Sequence, residues 1–166
     1  MKKALFLDRD GIINRELGDY VTHPDLFVLN PGIAKAIKYA NEKGFPVIVI
    51  TNQGGIAKGL YTEETLLQIH QKMHQLLQTE GSKIDAIYFC PHHPEVSGGC
   101  LCRKPGSLLI EKAIKHYNIN PAESMMLGDR DRDLEAAAAC GIEGVLIEDN
   151  KTENVRKIIK IFFEMR

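Results

Sequence analysis

An excess of either charge is missing from this chain: 21 Lys and Arg stand against 22 Asp and Glu, a formal net charge of -1. That balance supplies no global attraction toward nucleic acid or an anionic lipid surface, so neither is an expected partner and only a local basic patch stays open. Long apolar runs are missing as well. The basic start Met1-Lys2-Lys3 leads into Ala4 to Leu7, but Asp8 ends that run too early for a signal-peptide core or a membrane span. The expected address is therefore the cytosol. Cysteine is sparse, with four in 166 residues, and a chain of this length folds without a disulfide framework, burying roughly two-thirds of its unfolded surface. Repeats, low-complexity tracts and linkers are also lacking, which makes residues 1–166 one expected domain. With 44% hydrophobic and 26% charged residues, the composition is that of an ordinary globule.

Five short apolar runs are present and alternate with longer segments of helical period: Ala4 to Leu7, Val47 to Ile50, Ile84 to Phe89, Met125 to Leu127 and Val145 to Ile147. This alternation predicts an α/β fold, a Rossmann-like three-layer sandwich around a mostly parallel sheet. Pro31 opens a helix carrying Ile33, Ala36, Ile37 and Ala40 on one stripe, and Gly44 closes it. Thr62 caps a second, with Glu63 and Glu64 in its first turn and Leu66, Ile69, Met73 and Leu76 behind them. A third stripe runs from Leu109 to Tyr117, an alanine-rich helix from Asp133 to Cys140, and a last helix from about Glu153. His70 and His74, four apart on the second helix, are expected on a solvated face because no accompanying carboxylate completes a helical metal motif. Cys140 is expected to be a buried small residue, and Met125 and Met126 to be core.

Polar motifs fall where the strands end. Asp8 follows the first run, Thr51-Asn52-Gln53 the second, Cys90 the third and Asp129 the fourth. Open α/β sheets bind ligands outside the carboxyl ends of their strands, so four separate stretches are predicted to converge. In Asp8-Arg9-Asp10-Gly11 two acids lie two residues apart, suited to unequal roles in phosphoryl transfer. Asp8 can attack phosphorus; Asp10 can protonate the leaving oxygen and then deprotonate a water. Alone, this motif is as readily a turn. Gly128-Asp129-Arg130-Asp131-Arg132-Asp133 tips the balance, because gathered carboxylates repel one another unless a cation sits among them. Mg²⁺ is the expected ion, on Asp8, the Asp10 backbone carbonyl and Asp129; a Ca²⁺ loop fails at Leu134, where glycine is needed. Asp131 is expected to do no more than charge the helix that follows. Thr51 and Asn52 can hydrogen-bond phosphate oxygens, and Arg103 and Lys104 can supply positive charge to them. Phosphate-monoester hydrolysis is accelerated by up to ~10²¹, and positioned charge is the main source.

Cys90-Pro91-His92-His93-Pro94, then Gly98-Gly99-Cys100-Leu101-Cys102, gives three thiolates and an imidazole, the donor set of a closed structural Zn²⁺ site. Spacing leaves His92 and His93 both open. Since Arg103 and Lys104 follow Cys102 directly, a fixed metal fixes where those cations point.

With those motifs in order, Asp8-Arg9-Asp10-Gly11, Thr51, Lys104, and Gly128-Asp129 with Asp133, the chain resembles the haloacid dehalogenase superfamily over roughly residues 4 to 147. The C-x-H and C-x-C loop running into Arg103-Lys104-Pro105 is similar to that of its histidinol-phosphate and heptose 1,7-bisphosphate phosphatase group. The resemblance implies a Rossmann-like sheet without a large cap domain and a small zinc loop with His92 as the ligand. It also implies Asp8 as nucleophile, Asp10 as acid and base, Thr51 and Lys104 on the phosphate, and Mg²⁺ on Asp8, Asp10 and Asp129. The implied substrate is a small phosphorylated metabolite, a sugar bisphosphate or histidinol phosphate. Asn14, Gly18-Asp19-Tyr20-Val21 and the run Thr51 to Gly59 look like the heptose enzymes, whereas Arg130 looks like the histidinol-phosphate ones. A non-catalytic zinc and phosphate binding module is the rival of another class. A monomer is the default expectation.

Overall fold

The computed structural model describes residues 1–166. Five strands lie in the order β3-β2-β1-β4-β5: β1 Leu5–Leu7, β2 Val47–Asn52, β3 Ala86–Cys90, β4 Met125–Gly128 and β5 Glu143–Leu146. Every neighbouring pair is parallel. Strands buried on both faces read as continuous apolar runs, and this is why β1, β2 and β4 were visible as runs rather than alternations, while the edge strands β3 and β5 are only partly buried.

Six helices connect them. Helix α1 (Ile33–Glu42) and α2 (Glu63–Thr79) pack with α6 (Val155–Glu164) on one face; α4 (Leu108–Tyr117) and α5 (Asp131–Ala139) cover the other. The pleat divides the sheet accordingly. Leu5, Leu7, Val47, Val49, Met125 and Leu127 point into a 25-residue apolar cluster, while Ala4, Phe6, Ile48, Ile50 and Met126 point into one of 13 residues. This is the three-layer sandwich the alternation predicts. The expected local signals operate: the Thr62 hydroxyl accepts from the Thr65 N–H at the head of α2, and Gly44 takes a left-handed φ of 75° behind α1.

Some boundaries differ from the sequence reading. Helix α5 starts at Asp131, with Asp131 exposed in its first turn. Strand β5 ends at Leu146, one residue short of the expected limit, and Ile147 joins the core instead. On α2 the fully buried stripe is Leu66, Ile69, His70, Met73 and Leu77, with Leu76 only half-buried. His70 is thus inside, 6% exposed, and the expectation of a solvated face holds for His74 alone. Cys140 is half-buried, not buried. The turn α3 (Pro94–Ser97) carries no sequence signal beyond its proline.

The strand order reverses between β1 and β4, the switch point where ligands collect in open sheets. Leu7 pairs with Leu127, and the Asp8 N–H donates to the Leu127 carbonyl at 2.9 Å. Register therefore places Asp8 level with Gly128 and Asp129 one residue further on, at the same end of the sheet.

Candidate active site

Above the switch point is a cleft of about 330 Å³ lined by Asp8, Asp10, Asn52 and Asp129. Its outer wall is the loop carrying Glu16, Asp19, Tyr20 and Val21, and the opposite rim carries Arg130 and Arg132. Gly11 allows the crowding at its base. Its φ is 87°, and a methyl group there would collide with the Asp129 carboxylate.

Lys104 lies beneath the floor, 2% exposed. Its ammonium donates to Asp8 Oδ1 at 2.7 Å and to the Ile50 carbonyl at 2.6 Å, and it is 2.7 Å from Asp133 Oδ1. Burial works against that charge, but Asp8 and Asp133 outweigh it and raise the lysine pKa. The Asn52 amide holds the lysine backbone from both sides, accepting from Lys104 N at 2.9 Å and donating to its carbonyl at 3.1 Å. Asp133 is fully buried, and its Oδ2 accepts from the N–H groups of Asp129 and Arg130 at 3.2 and 3.1 Å. Gly128 makes room for it, since a Cβ there would meet the Asp133 side chain.

One oxygen each of Asp8, Asp129 and Asp133 lies within 4.8 Å of the others. Asp133 is committed to Lys104 and two N–H groups, whereas Asp129 Oδ1 is buried without a partner. Burial, then the negative charge of Asp8, push the Asp129 carboxyl up to about 9. Burial also raises Asp8, against the pull of Lys104. Two desolvated carboxylates with an unpartnered oxygen fit a hard divalent cation, which would remove the repulsion.

Asp10 is held differently. Its Oδ1 accepts from Arg9 at 2.9 Å and Asn14 at 2.9 Å, and its Oδ2 from Arg9 at 3.1 Å and Gln53 at 3.0 Å. Burial would raise its pKa, but the Arg9 guanidinium, helped by Asn14 and Gln53, brings it below its ordinary value. The Gln53 amide also donates to the Thr51 hydroxyl at 2.9 Å and accepts from Tyr61. Thr51 is buried, 1% exposed. Arg103 donates to the His92 carbonyl at 3.2 Å; the arginines that line the cleft are Arg130 and Arg132. Arg130 donates to Asp149 at 3.0 Å.

The zinc-type donor set assembles beside this floor. Cys90, His92, Cys100 and Cys102 bring one donor atom each within 4.8 Å of one another, and no cysteine is in a disulfide. His92 Nδ1 is 3.3 Å from Cys102 Sγ and 3.5 Å from Cys90 Sγ. His93 instead accepts from the Glu95 N–H at the start of α3, so geometry separates two histidines that spacing left equivalent. The small burial of Cys100 opposes ionisation, but the Arg103 N–H and the neighbouring thiols bring it down to about 6. Three sulfurs and one nitrogen, closed on themselves, suit tetrahedral Zn²⁺.

Residues 101–158 match the HAD-hydrolase-like family. A Haemophilus ducreyi D-glycero-beta-D-manno-heptose-1,7-bisphosphate 7-phosphatase is 42% identical over 156 residues, 90% of this chain and 85% of that protein. The chain belongs to the haloacid dehalogenase superfamily. Another relative of that name, from Pasteurella multocida, is 40% identical over 164 residues, covering 95% of this chain and 89% of the relative. Among solved superfamily structures, the D,D-heptose 1,7-bisphosphate phosphatase of B. bronchiseptica, complexed with magnesium and phosphate, superposes with a TM-score of 0.83. It is 38% identical, covering 96% of this chain and 86% of that one. A HAD-like phosphatase from Mesorhizobium loti reaches 0.90 at 29% identity, covering 99% of this chain and 87% of its own. No helix of the chain is long and apolar enough to cross a membrane.

Proposed function

We propose that this chain is a phosphomonoester hydrolase that removes the 7-phosphate of D-glycero-β-D-manno-heptose 1,7-bisphosphate. We assign residues 1–166 to one catalytic domain working as a cytoplasmic monomer without nucleic-acid or membrane partners. The observation that carries the chemistry is the meeting of the Asp8 and Asp129 carboxylates within 4.8 Å of each other, over a buried Lys104 that touches Asp8 at 2.7 Å. The relatives' shared name supports the substrate.

Lys104 occupies Asp8 Oδ1 and leaves Oδ2 to attack phosphorus. The Asp8–phosphorus bond forms as the phosphorus–oxygen bond to the sugar breaks, and the electron pair stays on the departing oxygen. Asp10 must carry a proton as the step begins, and it gives that proton to the departing oxygen. A water then attacks the aspartyl-phosphate, loses its proton to Asp10, and phosphate leaves as Asp8 is restored. Asn52 lines the cleft, and Thr51, buried beside it, would offer its hydroxyl to the phosphate. Asp8, Asp129 and the Asp10 backbone carbonyl would hold Mg²⁺, whose charge stabilises the phosphate's negative oxygens when bound. Cys90, His92, Cys100 and Cys102 would hold structural Zn²⁺ and keep the chain leading into Arg103 and Lys104 in place.

A kcat/KM comparison with Mg²⁺ present tests the substrate. The heptose bisphosphate should exceed histidinol phosphate by at least ~10², since a site built for one set of hydroxyls leaves polar groups unpaired with another. The reverse order would transfer the assignment to histidinol phosphate, and no turnover of either or of an aryl phosphate would leave a binding module. Asp8→Asn should abolish turnover while the protein stays folded.

A further inference from the structure

We propose that His70 is a positioning residue for departure of the leaving group: its ring anchors the buried Arg9 guanidinium, which in turn aims the Asp10 carboxyl. This rests on the reading of Asp10 as general acid.

Arg9 is 0% exposed, so its donors can find partners only inside the protein. Its Nη2 spans both Asp10 oxygens at 2.9 and 3.1 Å, its Nε has none, and its Nη1 meets only His70 Nε2, at 3.2 Å. Guanidinium has donors and no acceptor. The contact therefore runs from Nη1–H to a neutral imidazole that carries its own proton on Nδ1. Burial, and then the Arg9 charge, hold the ring neutral by bringing its pKa down to about 3.

A neutral acceptor suits the position. A carboxylate in its place would compete with Asp10 for the arginine's charge, whereas an imidazole fixes one end of the fork and leaves that charge directed at Asp10. His70 sits within α2, 61 residues from Arg9, on a helix anchored through Leu66, Ile69, Met73 and Leu77. The anchor is thus part of the helical frame, and the element it restrains is the short loop after β1. Gln53, itself held by the Tyr61 hydroxyl, braces Asp10 Oδ2, and Asn14 braces Oδ1. Asp10 is gripped by three side chains, and the one grip that also carries charge ends at His70.

Acid catalysis matters when the departing oxygen is a poor leaving group, such as a sugar alkoxide. It matters little for nitrophenolate, which departs unprotonated. The test measures kcat/KM for heptose 1,7-bisphosphate and for p-nitrophenyl phosphate in one preparation each of wild type, His70→Leu, His70→Gln and Asp10→Asn. The ratio of the two values is independent of the fraction of enzyme that folds. Asp10→Asn should lower the ratio by ~10² or more, and His70→Leu by about 10-fold, as expected of a displaced catalytic group. His70→Gln, which can present a neutral oxygen to Arg9, should restore most of it. A ratio unchanged in His70→Leu while Asp10→Asn lowers it would overturn the positioning role alone. An unchanged ratio in Asp10→Asn would overturn both that role and the acid assignment beneath it.

Discussion

The Asp129 carboxyl shows how much of this site's behaviour is set by single groups. Its folded pKa is about 9 against an ordinary 3.8, through burial first and the charge of Asp8 second. A folded state that retains a proton the unfolded chain releases loses stability as pH rises between those values. Mg²⁺ between Asp8 and Asp129 would replace that proton. The increase in melting temperature on adding Mg²⁺ should therefore be greater at pH 8 than at pH 5.5, by roughly 3–6 °C. An increment that does not change with pH would remove the cation from between these two carboxylates. At this scale the sequence was legible wherever a residue type has few uses. Asp8, Asp10 and Asp129 could be singled out because acids gathered at strand ends are costly without a purpose, and Lys104 because it follows the cysteine and histidine motif directly. Arg9 and His70 escaped because an arginine and a histidine are ordinarily surface residues, and their pairing spans 61 positions. A signal did exist: His70 lies four residues after Leu66 and three before Met73, on the apolar side of its own helix.

Among elements, the strands and long helices were the legible part, since parallel strands announce themselves as unbroken apolar runs and helices by stripe and cap. The segment from Pro91 to Gly106 was not. It has one short turn, α3, and its shape follows from side-chain donors converging rather than from propensity. Neither the turn of His92 toward the thiols nor that of His93 toward the head of α3 has a periodicity to betray it. Because Cys102 stands two residues before Lys104, and Asn52 clasps the Lys104 backbone, metal loss should be felt at the floor of the cleft. Mild chelation of zinc should loosen residues 91–106, seen as faster amide exchange there, and lower kcat about 10-fold or more. The sheet and α1, α2 and α6 should remain protected. Cooperative loss of the whole far-ultraviolet signal would instead make the metal a condition of folding.

For the molecule as a whole, two apolar layers of unequal size divide the labour. The larger is closed by α6, where Phe163 stacks on Phe45 with ring centroids 4.4 Å apart and meets Phe162 at 5.1 Å. None of these rings lines the cleft. Phe163→Ala should cost about 3–5 kcal/mol, read from the urea midpoint, and leave kcat/KM unchanged well below the melting temperature. A selective loss of activity with stability intact would mean that this layer is coupled to the chemistry. The predicted three layers follow from composition and period, but the contents of the cleft wall do not. The loop from Glu16 to Val21 is fixed by distant partners, such as Asn150 accepting from the Glu16 N–H at 2.7 Å across 134 positions.

The lysine shared between Asp8 and Asp133 has a consequence for repeated turnover. In the proposed cycle one of its neighbours passes from a free anion to a phosphorylated one and back, so a lysine tied to that neighbour alone would follow every change. Asp133, sealed from solvent and clamped by two main-chain amides, takes no part in those changes. It works as a mooring: when the product drifts out, the ammonium stays behind, and the enzyme is reset without having to rebuild its own floor.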